Sequence, residues 1–225
     1  MRNSNGFTLV EIAITLLIVS LLLGGLLVPL GTQVAQRKTT ETQKALDEIK
    51  EALIGFAIIN GRLPRPAVSS ATGSEQGVCA SEAACTGFIP WATLGIAKLD
   101  SYGKIFRYSV TPAFANTAIT FTTAASKTVQ TRNTTGALAG LATSVPAVIM
   151  SYGKNSWGTD DSGNALADTS TTNIDEDTNN SATVNFISRT QTDNPAAPGG
   201  EFDDIVTWLS ANILFNRMVA AGKLP

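Results

Sequence analysis

A short polar opening, Met1 to Gly6, gives way to 24 residues from Phe7 to Leu30 that carry one charge, Glu11, and one proline, Pro29. As a helix such a run spans roughly 36 Å at 1.5 Å per residue, enough for the hydrocarbon core of a bilayer. The pattern predicts a membrane-spanning helix over 7–30. From residue 31 the pattern changes. Leu46, Ile49, Leu53 and Phe56 with Ala57 recur every three or four positions, with Lys44, Asp47, Glu48, Lys50 and Glu51 between them, so the helix should continue with one apolar face. Asn60-Gly61 and then Pro64 supply its stop. Residues 31–60 are therefore expected to be the soluble part of the same helix, bent near Pro29, which removes the hydrogen bond to the carbonyl of Gly25.

The remaining stretch, 61–225, changes period. Lys104–Val110, Ala118–Thr123, Val145–Tyr152, Val184–Ser188 and Phe202–Leu209 read as strands, being rich in β-branched and aromatic residues. Ser210 can cap a closing helix over Ala211–Ala221, with Gly222 as its stop. Thr122–Thr143 is rich in Thr, Ser, Ala and Gly and reads as a loop or edge region, and Thr159–Asn180 as a long acidic loop. The fold class is α+β: a long N-terminal helix packed on an antiparallel sheet, with a short C-terminal helix.

Composition narrows the function. The 225 residues carry a net charge of −2, too slight to imply a nucleic-acid partner, and the chain has no histidine. Histidine-based triads, general bases and metal ligands are thereby excluded. Lys154 follows Gly153 without the rest of a phosphate-binding loop. Asp203 and Asp204, placed on the last strand, would point to opposite faces and so would not converge as an acid–base pair. No catalytic constellation emerges, and the chain is read as a non-enzyme.

Glu11 is the outlier of the apolar run. A carboxylate near a bilayer centre costs about 2.5–3.5 kcal/mol, so a partner is expected, and the segment offers no cation. The α-amine created by cutting between Gly6 and Phe7 of a neighbouring copy would serve; the alternative is that Glu11 reaches the headgroups. A secretory signal peptide fits poorly, because its apolar core is shorter, about 7–15 residues. Gly6, then Phe7-Thr8-Leu9-Val10-Glu11, then an unbroken apolar helix, resembles the leader and N-terminal helix of type IV prepilins and type II secretion pseudopilins.

That resemblance implies a set of roles. Residues 1–6 would be a leader removed by a prepilin peptidase/methyltransferase, Phe7 the methylated mature N-terminus, and Glu11 the glutamate that pairs with a neighbour's terminal amine during assembly. The chain would be a minor pilin or pseudopilin, single-pass in the bacterial inner membrane, with 61–225 as a periplasmic or extracellular domain and other pilin subunits as partners. Gly87–Gly95 and Asp100–Gly103, leading into the strand at Lys104, are similar to a second pattern of pilin-like minor subunits, with Tyr102 where many relatives carry tryptophan and Arg65 where some carry cysteine. In an exported domain Cys79 and Cys85, the only cysteines, are expected to form one disulfide. Some pseudopilins hold calcium in a loop ahead of their last strands; here Asp160, Asp161, Asp175 and Asp177 are the candidate ligands. The competing functional reading is a solitary membrane-anchored periplasmic binding module with Gly6 uncut.

Overall fold

The computed structural model describes residues 6–155 and 157–224, and within them all side chains except those of 23–30. The leader ahead of Gly6 lies outside the described residues, and the N-terminal helix continues as one helix through Pro29, where a bend was expected. The elements are α1 (Leu9–Asn60), β1 (Thr86–Phe88), α2 (Trp91–Leu94), β2 (Arg107–Val110), α3 (Pro112–Asn116), β3 (Lys127–Arg132), β4 (Leu138–Val145), β5 (Ala147–Ser151), β6 (Gly158–Thr159), β7 (Ala165–Leu166), α4 (Ile174–Ser181), β8 (Asn185–Ile187), β9 (Ile205–Leu209) and α5 (Ala211–Ala220). The class is α+β, as the pattern predicts. Two compact units divide within α1, between Thr40 and Glu41.

In the first unit the large apolar side chains from Phe7 to Leu22 are exposed, Leu9 at 86%. The described polar side chains of the same stretch bond back to their own helix. Thr15 Oγ1 donates to the Glu11 carbonyl, and Ser20 Oγ to the Leu16 carbonyl at 2.7 Å. Among the described residues, which leave out the side chains of 23–30, no helix is long and apolar enough to cross a membrane; the expected span over 7–30 runs through that stretch.

The second unit is built on a four-stranded antiparallel sheet ordered β1-β2-β5-β9. β5 lies inside it, and all five of its residues are buried. Its side chains alternate between two cores. Ala147 and Ile149 join Leu46, Ile49, Leu53 and Ala57 of α1, Phe114 of α3, and Leu214 and Met218 of α5. Val148 and Met150 face Val129, Val145 and Phe186 of the second sheet. A strand covered on both faces reads as a continuous apolar run, which is why Val145–Tyr152 is conspicuous in the sequence.

That second sheet, ordered β4-β3-β8, departs from expectation. Thr122–Thr143, read as a loop or edge, holds β3 and most of β4. β8 pairs with β3 in parallel, Phe186 against Val129, so this sheet is mixed, whereas the main sheet and the small β6-β7 sheet are antiparallel. The strand expected over Ala118–Thr123 does not form. Thr123 Oγ1 accepts from the Thr120 amide at 2.9 Å and the Thr123 amide donates to the Thr120 carbonyl, which closes a hydroxyl-bonded turn instead. The cysteines form the expected disulfide, buried at both ends, with Asn116 Nδ2 donating to the Cys79 carbonyl at 2.7 Å.

Candidate functional site

Two places in the chain concentrate unusual chemistry. The first is the start of α1. Gly6 and Phe7 precede the helix and are exposed, so the bond between them is reachable. Thr8 is the last residue before the helix. Its Oγ1 accepts from the Glu11 amide at 3.3 Å, while Glu11 Oε2 accepts from the Thr8 amide and the Thr8 hydroxyl, both at 2.9 Å. This is a reciprocal capping box that satisfies otherwise orphaned amides at the helix start. Glu11 thus has a partner within its own chain, which the search for a cation overlooks. The Thr8-x-x-Glu11 spacing carries that signal openly.

The second is a buried acidic cluster. Glu176, in the first turn of α4, meets Asp203 and Asp204, which lie just ahead of β9 rather than on it. The pairing expected to diverge across a strand therefore converges: one carboxylate oxygen from each of the three lies within 4.8 Å of the others. Glu176 Oε1 accepts from the Asp203 amide at 2.6 Å, and its Oε2 accepts from Asn173 Nδ2 at 3.0 Å and from Asn155 Nδ2. Asp203 Oδ2 accepts from the amides of Lys154 (3.2 Å) and Asn155 (2.9 Å), and Asp204 Oδ2 from Asn179 Nδ2 (2.8 Å). Among the described residues, the Oδ1 atoms of Asp203, Asp204 and Asn173 are buried without a hydrogen-bond partner.

Burial dominates the electrostatics there. It pushes the Glu176 carboxyl up to about 7, raises Asp203, and lifts Asp204 well above the ordinary range. The neighbouring Lys104 is also buried, which lowers its pKa; its ammonium donates to the carbonyls of Tyr152 and Asn155. Sequence reading missed this cluster because α4, Ile174–Ser181, has the composition of a loop.

The four aspartates expected as calcium ligands are not gathered. Asp175 spends both oxygens on two guanidiniums: Oδ1 and Oδ2 accept from Arg132 at 2.6 and 2.8 Å, and Oδ2 also from Arg189 at 2.6 Å. Asp160 closes a turn onto Asn164 at 2.8 and 2.9 Å. Asp161 pairs with Lys98 at 2.7 Å, and Asp177 is exposed on α4.

Residues 1–27 match the family model described as the prokaryotic N-terminal methylation motif. The chain therefore carries the prepilin-type cleavage and methylation signature of type IV pilins and pseudopilins, and with it the mark of a structural, pilin-type subunit. Prepilin peptidase and other pilin subunits are the partners which that motif implies. No curated protein and no solved structure matches the chain.

Proposed function

We propose that the chain is a minor pilin or pseudopilin, a structural subunit of a type IV pilus or type II secretion filament. In this reading residues 1–6 are a leader cut after Gly6, and Phe7 becomes the methylated N-terminus. Residues 7–30 anchor the chain in the inner membrane, 31–60 extend the helix, and 61–225 form the domain on the periplasmic or extracellular side. The observation that carries it is the methylation motif at 1–27, which sets an exposed Gly6–Phe7 bond ahead of a helix start built around Glu11.

The physics supports assembly through α1. Burying one large aliphatic side chain is worth roughly 1.5–3 kcal/mol, so the exposed row from Phe7 to Leu22 needs lipid or neighbouring helices. Its polar groups are already bonded within the helix, as a membrane requires. On one subunit the new amine of Phe7 is a cation that can displace the Thr8 cap from a neighbour's Glu11, exchanging a neutral donor for a charged one.

Mass spectrometry of the N-terminal peptide from native membranes tests the pathway, with a methylated Phe7 as the expected terminus. A chain still beginning at Met1 or Arg2 would favour the solitary anchor instead. Glu11→Ala should insert into the membrane normally yet enter filaments poorly; normal incorporation of that variant would remove the assembly mechanism.

A further inference from the structure

We propose that the cavity between β1, β2 and the β6-β7 hairpin binds a small aromatic monocarboxylate, an activity that does not depend on how the chain is anchored or assembled. The cavity measures about 260 Å³, and Phe88, Arg107, Tyr152, Trp157, Leu166 and Asn180 are among the residues lining it. Sheet register builds its floor. Arg107 of β2 stands opposite Phe88 of β1 on one side and Met150 of β5 on the other, and Tyr152 follows two residues after Met150. The hairpin and Asn180 of α4 complete the wall.

Arg107 sets the charge of the occupant. It is the only charged residue of the lining, and it forms no ion pair among the described residues. A guanidinium carries five N–H donors. Two of them have acceptors: Nη1 donates to the Tyr152 hydroxyl at 3.2 Å and Nη2 to the Ala182 carbonyl at 2.6 Å. The Tyr152 hydroxyl in turn donates to Asn180 Oδ1 at 3.3 Å, so the guanidinium is tied to two other residues of the same wall. Nε is buried and has no acceptor among the described residues. A half-buried cation facing one phenol and one carbonyl lacks the counter-charge that buried ions require. One carboxylate supplies it, in the paired geometry that the planar guanidinium fork matches.

A second lining residue is in the same condition. Trp157 Nε1 is buried without an acceptor among the described residues. Both unmet groups are donors, and buried donors seldom lack an acceptor, so the two together select a ligand that accepts. The remaining lining sets its body. Phe88, Tyr152 and Trp157 offer aromatic surface, and Ala165 and Leu166 an aliphatic side. At about 30 Å³ for each water-sized atom the volume holds roughly nine, the bulk of benzoate. A dianion such as phosphate fits less well, since one arginine leaves half its charge uncancelled and an apolar lining replaces little of its hydration.

The test titrates the full-length chain in detergent micelles with sodium benzoate by calorimetry, against empty micelles. One saturable site with a Kd of about 1 mM or tighter is expected. Benzamide, which has the same shape without the charge, should bind about tenfold more weakly or worse. Arg107→Gln should erase that preference, leaving the two compounds within about twofold of each other. Leu166→Trp, which fills the cavity from the hairpin, should block benzoate, and Lys154→Gln, at an exposed lysine outside the cavity, should leave it unchanged. Should Arg107→Gln fail to fold, Leu166→Trp decides. Benzoate that shows no saturable binding up to about 10 mM overturns the site. So does benzamide binding as tightly as benzoate, or benzoate affinity unchanged in either cavity variant.

Discussion

Gly153 offers a quantitative test of how the acidic cluster is built. It follows β5 with φ +59°, and a Cβ placed there would fall on the carbonyl oxygen and Oδ1 of Asp203, and 2.7 Å from the Asp203 carbonyl carbon. Gly153→Ala therefore meets two costs. A left-handed non-glycine residue is worth roughly 1–2 kcal/mol. Moving Asp203 also strains two amide hydrogen bonds, from Lys154 and Asn155, at about 1 kcal/mol each. The sum, about 3–4 kcal/mol, corresponds to a fall of roughly 6–16 °C in melting point for a domain of this size. Gly95→Ala isolates the first cost, since Gly95 has φ +67° at the end of α2 but nothing within 4 Å of its Cβ position. It should fall by roughly 2–8 °C only. Circular-dichroism melts of the two variants beside the parent chain give the comparison. If Gly153→Ala melts no lower than Gly95→Ala, the close approach of this turn to Asp203 is wrong.

Three further tests probe other parts of the second unit. Asp175→Ala leaves Arg132 and Arg189 without their shared carboxylate, and should cost about 3 kcal/mol in urea unfolding, with Asp175→Asn recovering part of it. The Glu75 carboxyl is held below the ordinary glutamate range, first by its bidentate bond to Arg62. Its stabilisation is thus fully present above the unfolded value of about 4.3 and lost as pH falls through the lower folded value. Glu75→Gln should accordingly be less stable than the parent by up to about 1 kcal/mol at pH 7, and the gap should close in acid melts. Reduction of Cys79–Cys85 should lower stability by about 2 kcal/mol, as expected for so short a loop, read as a shift of the urea midpoint with reductant.

The sequence was most readable where local pattern and tertiary burial agree. The face Leu46–Ala57 is apolar at helical spacing because it meets one core, and β5 is apolar throughout because it meets two. Elsewhere tertiary contacts override local preference. Residues 174–181 are poor helix formers on their own. They hold a helix because Asp175 anchors two arginines while Asn179 bonds both the Ile187 backbone and Asp204. β3 is similarly obscure: only Val129 carries its apolar face, and its buried Lys127 is matched by Glu82 from the disulfide loop and by the Thr183 carbonyl. Beside the loop-like composition of α4, a matter of boundary hid the acidic cluster: the last strand was expected to begin at Phe202 but begins at Ile205, so Asp203 and Asp204 end an irregular segment.

The strand order also constrains when the domain can become complete. In the main sheet Ile149 pairs with Tyr108 on one side and with Thr207 on the other, about 40 residues earlier and about 60 later. Closing the longer of these loops must await synthesis of β9, well after β5 has been made. Until then β5, all five of whose residues are buried in the finished domain, stands with one side unpaired, and the α1 face lacks Leu209, Leu214 and Met218. A chain ending before Ile205 would be fixed in that condition, and its open β5 edge would be free to pair with the same edge of another copy.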